Sequence, residues 1–408
     1  MDTALTRSQF VRWRAAIFAI FFASGLSIAT WASRVPAIKE ALDLDNAQVG
    51  SILLGMGVAS IIGISTGPAV MVRTGARRGM LLAMLMFATG IALVGLGADV
   101  FGSVGVVLAG MALFGFGNGC LDVMMNVEAT AIEQRMGKTI LPVFHALFSF
   151  GTVIGAGIGA LAAGFSLDVA THAGVVSALI AVIAVVCFFQ VPVREAALDP
   201  EGSEKPTFRQ RLHTALEAWR EPRTYLLGVV MLGMAFAEGG ANDWIALGTE
   251  QGHGLADGSG AVSLAVFSIG MTLVRLFGGP IVDRVGRVIV LRVLAVTAAG
   301  GILLFILAPN LPLVLVGAAL WGIGASLGFP LGMSAAADDP AKAAARVSAA
   351  ATIGYIAFLG GPPVLGIISE HIGLLNTLFI LVVLVGLSGL FSGAARPLRE
   401  DEKTAATK

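Results

Sequence analysis

The sequence predicts an all-α polytopic membrane protein with twelve transmembrane helices in two pseudo-symmetric six-helix halves. Three observations carry this. The 408 residues are 56% hydrophobic and only 13% charged, with a mean hydropathy of +0.88, against about 25% charged in soluble domains. Apolar runs long enough for a helix to cross about 30 Å of hydrocarbon recur twelve times. One long polar loop divides them six and six.

The runs are 14–33, 47–72, 79–98, 101–127, 141–165, 173–191, 224–247, 259–282, 289–308, 311–336, 346–370 and 375–393. Backbone groups in lipid must be satisfied within the segment, so each is read as a helix. The first follows Arg7, Arg12 and Arg14 like a signal peptide. No small-residue cleavage site follows it, and it is read as a retained first helix. Arg73, Arg77, Arg78, Arg135, Lys138, Arg284, Arg287, Lys342 and Arg346 fall in loops on the N-terminal side of the membrane. Only Arg34 and Lys39 fall on the other. This bias places both termini in the cytoplasm and the chain in the cell (inner) membrane.

The expected organisation is an N-terminal half at 1–191, a cytoplasmic linker at 192–223 and a C-terminal half with a short tail at 224–408. The linker opens with Pro, Gly and acidic residues. Phe208, Leu212, Leu216 and Trp219 then recur at helical spacing among arginines, the pattern of an amphipathic helix on the membrane surface. The halves read as repeats. ATWASR precedes TGPAVMVRTGARR in the first, and NDWIAL precedes GGPIVDRVGR in the second. Trp31 and Trp244 lie 213 residues apart, Gly67 and Gly279 212. Such duplication is typical of secondary transporters.

GPIVDRVGR resembles the loop signature of the major facilitator superfamily, in Gly279, Asp283, Arg284, Gly286 and Arg287. The first copy, Val72-Arg73-Thr74-Gly75, lacks the acidic residue. The resemblance implies that Asp283, Arg284 and Arg287 form a charge relay at the cytoplasmic gate. It also implies that the first, fourth, seventh and tenth helices line a central path. NGCLDVMMNVEA followed by FHALFSFGTVIG is similar to helices four and five of the fucose:proton symporter branch, which carry an acidic residue and Asn there.

Asn118, Asp122 and Asn126, four residues apart, form one polar stripe on the fourth helix. An ionised Asp at mid-bilayer costs at least about 2.5–3.5 kcal/mol, so the stripe is expected to face a cavity or a partner. Packing between helices is the alternative. Glu128 lies off the stripe and is expected to be solvated or a gate charge. On the seventh helix Glu238 and Asn242 share a face. A carboxyl at that depth can bind and release a proton, the requirement of proton coupling. Asp243 is expected to cap the helix end or to pair across the outer gate, with Arg34 as its candidate partner.

Trp321, in mid-helix, is the aromatic candidate for stacking on a solute, while Trp31 and Trp244 suit interfacial anchors equally well. His145 is expected to be an interfacial, hydrogen-bonded histidine. Gly151, Gly155 and Gly159 read as small-residue helix packing. Cys120 and Cys187 imply neither a disulfide nor a metal framework. RMGKTI lacks the first glycine and preceding strand of a phosphate loop, and there is no HExxH or CxxC. The expectation is a non-enzyme without cofactor or metal: a monomer in the bilayer that moves a small, sugar-like solute with protons and binds no nucleic acid. Drug:proton antiport is the alternative within transport. GTVIGAGIG lacks the Gly-Pro pair of antiporters in helix five, which weakens it. A solute receptor on a transporter scaffold is the alternative outside transport.

Overall fold

The structure, a computed structural model, describes residues 6–136, 140–193, 218–338 and 343–397. The amphipathic segment expected at 208–219 lies almost wholly outside the described residues, as do Lys138 and Lys342. The first half contains α1 (Arg7–Ala32), α2 (Val35–Ala41), α3 (Asn46–Asp99), α4 (Val104–Met136), α5 (Leu141–Gly164) and α6 (Val169–Gln190). The second begins with α7 (Pro222–Leu247), which ends in a wider turn at Gly248–Gly252. It continues with α8 (Ser259–Phe277), α9 (Gly279–Val285), α10 (Arg287–Leu307), α11 (Leu311–Ala325) and α12 (Gly328–Ala336). The last helices are α13 (Ala343–Ile372), α14 (Leu374–Thr377) and α15 (Phe379–Phe391).

Among the described residues, eleven helical segments are long and apolar enough to cross a membrane. The twelfth span is hidden in α3. Its 54 residues would reach about 80 Å if straight. Gly75 breaks it, at φ 74° and ψ 155°. The chain reverses there, because Ser60 and Ala83 both meet α4, at Gly119 and Gly117. Gly286, at φ 87° and ψ 153°, makes the matching turn between α9 and α10. Both turns need a left-handed residue, which glycine supplies without strain. The expected repeat is therefore visible in backbone conformation as well as in letters. With twelve spans the first and last described residues share one face, the terminal face; the other is the far face.

Small residues let the helices close. A methyl on Gly25 would collide with the Phe148 carbonyl and one on Gly151 with that of Phe22, so α1 and α5 touch backbone to backbone. Gly90 with Gly110 does the same in the first half, and Gly301 with Gly317 in the second. Large apolar side chains such as Phe189, Val296 and Leu390 point outward, as a lipid solvent requires.

The halves meet along α5 against α8 and the first arm of α3 against α13. At the far face Lys39 donates to Gln251 (2.7 Å), and the Asn46 backbone N–H donates to Glu370 (2.6 Å). Both bonds join one half to the other.

Candidate functional site

A cavity of about 320 Å³ lies between the halves. The first half gives it Trp31 from α1, Met56 and Ser60 from α3, and Phe114, Asn118 and Asp122 from α4. The second gives Gly239, Asn242 and Asp243 from α7, and Leu359 and Pro362 from α13. The walls are mainly apolar; the amides and carboxyls are the polar points. Its helices are thus the first, second, fourth, seventh and eleventh spans. The tenth, expected from the resemblance, contributes no lining residue.

The four-residue spacing on α4 brings Asn118 and Asp122 into the cavity together. Asn118 accepts a hydrogen bond from Ser24 Oγ at 2.8 Å. Asn126, the third of the stripe, is not among the lining residues. Its amide donates to the Asp122 backbone oxygen (2.8 Å) and to Asp122 Oδ1 (3.2 Å). It therefore orients the carboxyl from one turn away.

The sequence expectation has Asp243 capping the helix end or pairing across the outer gate with Arg34. It lines the central cavity instead, because one residue's step around α7 from Asn242 still faces inward. Among the described residues its carboxyl has no hydrogen bond or ion pair, and nor does Asp122 have a cationic partner. Arg34 lies apart, in a far-face cleft of about 220 Å³ with Glu250 and Asp257. It donates to the Leu167 carbonyl (2.6 Å). Burial pulls the Arg34 guanidinium below its ordinary value, while Asp99, Glu250 and Asp168 pull it back up.

Glu238 is not the isolated carboxyl the sequence suggests. It accepts from Arg275 Nη2 at 2.8 Å, and both side chains are largely buried. Arg275 Nε also donates to the Ser326 carbonyl (3.1 Å), and Nη1 to Ser149 Oγ (3.1 Å). The Ser326 carbonyl is available for a covalent reason. Its helical partner would be the N–H of residue 330, which is proline. The span breaks between α11 and α12, and the arginine takes over the freed acceptor. Sequence reading passed over Arg275, although its signal was there: a cation inside the apolar run 259–282.

The aromatic expectations change as well. Trp321 is fully buried, donates to the Ala237 carbonyl (2.9 Å) and sits edge-on to Phe267 and Phe305. It is a core residue rather than a solute platform. Trp244 is also fully buried, so it is no interfacial anchor. Trp31 is 4% exposed, lies at the cavity wall, and its indole N–H has no hydrogen-bond partner among the described residues. Glu128, expected to be solvated or a gate charge, is not solvated: it is 2% exposed and accepts from the Trp13 indole N–H at 2.8 Å. His145 is exposed and meets the Phe21 ring edge-on.

At the terminal face Arg287 binds both oxygens of Asp338 (2.8 Å each), and Arg223 binds the same carboxylate (2.9 Å). Asp283 and Arg284 are exposed. Among the described residues Asp283 makes no ion pair, so the acid of the charge cluster is Asp338 rather than Asp283. In the first half, where the motif's acid is missing, Arg77 stacks on the Phe188 ring at 4.0 Å. No group of metal-ligating side chains occurs among the described residues.

The chain matches the profile of the Major Facilitator Superfamily over residues 16–266 and 261–408. It belongs to the Major Facilitator Superfamily. Transporter y4wD of Sinorhizobium fredii is 30% identical over 362 residues, covering 88% of this chain and 91% of that one. The same fold occurs in the nucleoside transporter NupG, at TM-score 0.69, 17% identity and coverage of 95% and 98%. It occurs too in the transporter FucP in the outward conformation, at TM-score 0.66, 15% identity and coverage of 96% and 100%. The chain is thus an integral membrane transporter of this superfamily.

Proposed function

We propose that the chain is a proton-coupled transporter of a small polar organic solute, of sugar or nucleoside size, working by alternating access. The observation that carries this is the central cavity. It is built from both halves and holds Asp122 and Asp243, with no cation among the described residues that line it. A volume near 320 Å³ is at the small end of ligand sites. Asn118, Asn242 and the free Trp31 N–H are matched to hydroxyls and carbonyls, and the apolar walls to the faces of a ring. Carboxyls without a counter-ion in a low-dielectric cavity are suited to take up and release protons. The E. coli FucP is a fucose:proton symporter, and NupG carries nucleosides; a shared fold makes the same kind of cargo a reasonable first test. The Lys and Arg bias supports a cytoplasmic terminal face and a place in the cell (inner) membrane, and a monomer is the unit proposed.

Asp122 and Asp243 in one partly apolar cavity also favour a second reading, the exchange of an organic cation for protons. Proteoliposomes separate the two. Labelled sugars, nucleosides and organic cations are tested for counterflow and for accumulation under an imposed pH gradient. Symport predicts that a neutral solute follows protons inward. Antiport predicts that a cation moves against them. Binding without flux would support a receptor and overturn both.

A further inference from the structure

Among the described residues, Arg275, inside the apolar run 259–282, ties the two halves together away from the far face. Two of its bonds stay within its own half. Glu238 on α7 needs a cation at that depth, and the Ser326 carbonyl has lost its helical donor to Pro330. The third bond, to Ser149 Oγ on α5, crosses to the other half. Ser149 is fully buried at this contact. Its hydroxyl has a ready substitute, since a helical serine can turn back to the carbonyl one turn earlier. The three bonds are therefore unequal. Two leave a buried acceptor stranded when broken; the third does not. The arrangement that carries them is the one in which the far face is closed by Lys39–Gln251 and Asn46–Glu370.

We propose that Arg275 is a positioning residue for alternation. Its bond to Ser149 holds the halves in the far-face-closed arrangement and is given up when that face opens, while Glu238 and Ser326 keep the guanidinium on its own half throughout. This rests on the alternating-access reading. Glu238 then serves by holding the arginine at the interface, outside the solute cavity.

The test reads conformation directly, so it remains decisive if the solute or the coupling ion is misassigned. The buried Cys120 and Cys187 are changed to Ser. A reporter Ala163→Cys is placed where α5 meets Gly258 of the other half at the far face. Purified protein in detergent is labelled with a membrane-impermeant maleimide. Ser149→Ala removes only the crossing bond, and the labelling rate should rise at least about tenfold, the lower end of what one charge-assisted hydrogen bond is worth. Ser149→Thr, which keeps the hydroxyl, should label at the parent rate. Arg275→Lys keeps a charge for Glu238 but loses the fork, and should label fast as well. If Ser149→Ala does not fold, Arg275→Lys decides. A rate within twofold of the parent for the deciding variant, or fast labelling of Ser149→Thr, overturns the proposal.

Discussion

Replacing Asp122 by Asn tests the cavity with the least disturbance the structure allows. The amide has the shape of the carboxyl, and its oxygen can still accept from Asn126 Nδ2, now 3.2 Å away. No packing contact is lost, so only charge and the ability to ionise change. A carboxylate at mid-helix costs about 2.5–3.5 kcal/mol on insertion scales, and the amide avoids most of that. Membrane level and thermal stability of Asp122→Asn should therefore equal or exceed the parent. A hydrogen bond to an ionised group contributes about 1.5–3 kcal/mol and a neutral one about 0.5–1.5. Solute affinity should fall by the difference, about 1–1.5 kcal/mol, or roughly 5- to 13-fold. Accumulation under a pH gradient should fall much further, because an amide cannot carry the proton. The assay pairs counterflow with pH-driven uptake in proteoliposomes, and a thermal melt of the same preparations. Parent-level pH-driven accumulation would remove Asp122 from the mechanism. A large drop in melting temperature would show that it serves packing.

Trp31→Phe keeps an aromatic face at the cavity and removes the unpartnered N–H. The apparent solute affinity should weaken about 2- to 13-fold with the maximal rate unchanged, and an unchanged affinity would mean that the indole does not touch solute. Trp321→Ala should cost about 3–5 kcal/mol of stability, seen as a lowered melting temperature, while the surviving folded fraction keeps its solute affinity; weakened affinity in that fraction would put Trp321 back at the site. Gly25→Ala should abolish the membrane-inserted, folded protein because the added methyl meets the Phe148 carbonyl, whereas Gly157→Ala, with nothing within 4 Å, should be silent in a detergent-stability assay.

The spans were legible because lipid leaves one solution for the backbone, and the run lengths show it. The loops at Gly75 and Gly286 were legible from the repeated loop signature, while the left-handed turn each glycine makes came from the structure. The polar stripe on α4 was legible in part: spacing by four puts Asn118, Asp122 and Asn126 on one face, yet it cannot say that Asn126 would turn back on its own helix. The partner of Glu238 was not legible. Arg275 lies 37 residues away in the chain, and Ser149, which Arg275 also binds, 126 residues from the arginine; such pairing depends on which helices pack. The same holds for Asp338, which gathers two arginines from separate helices. Trp321 was misread because a tryptophan in mid-span suits a core as well as a binding site, and only its neighbours decide.

Lys39 and Gln251, which touch at the far face, are 212 residues apart, the offset that separates Gly67 from Gly279. They occupy corresponding places in the two repeats, so their contact lies at the pseudo-twofold axis. In an assembly of two identical copies, a residue at such a place must meet itself. A lysine there would face a lysine, and the repulsion would hold that mouth ajar. Joining the copies in one chain removes the constraint, because each side can then change alone. An ammonium opposite an amide oxygen closes the mouth without the strength of an ion pair, and a seal that must open in every cycle gains from being that weak.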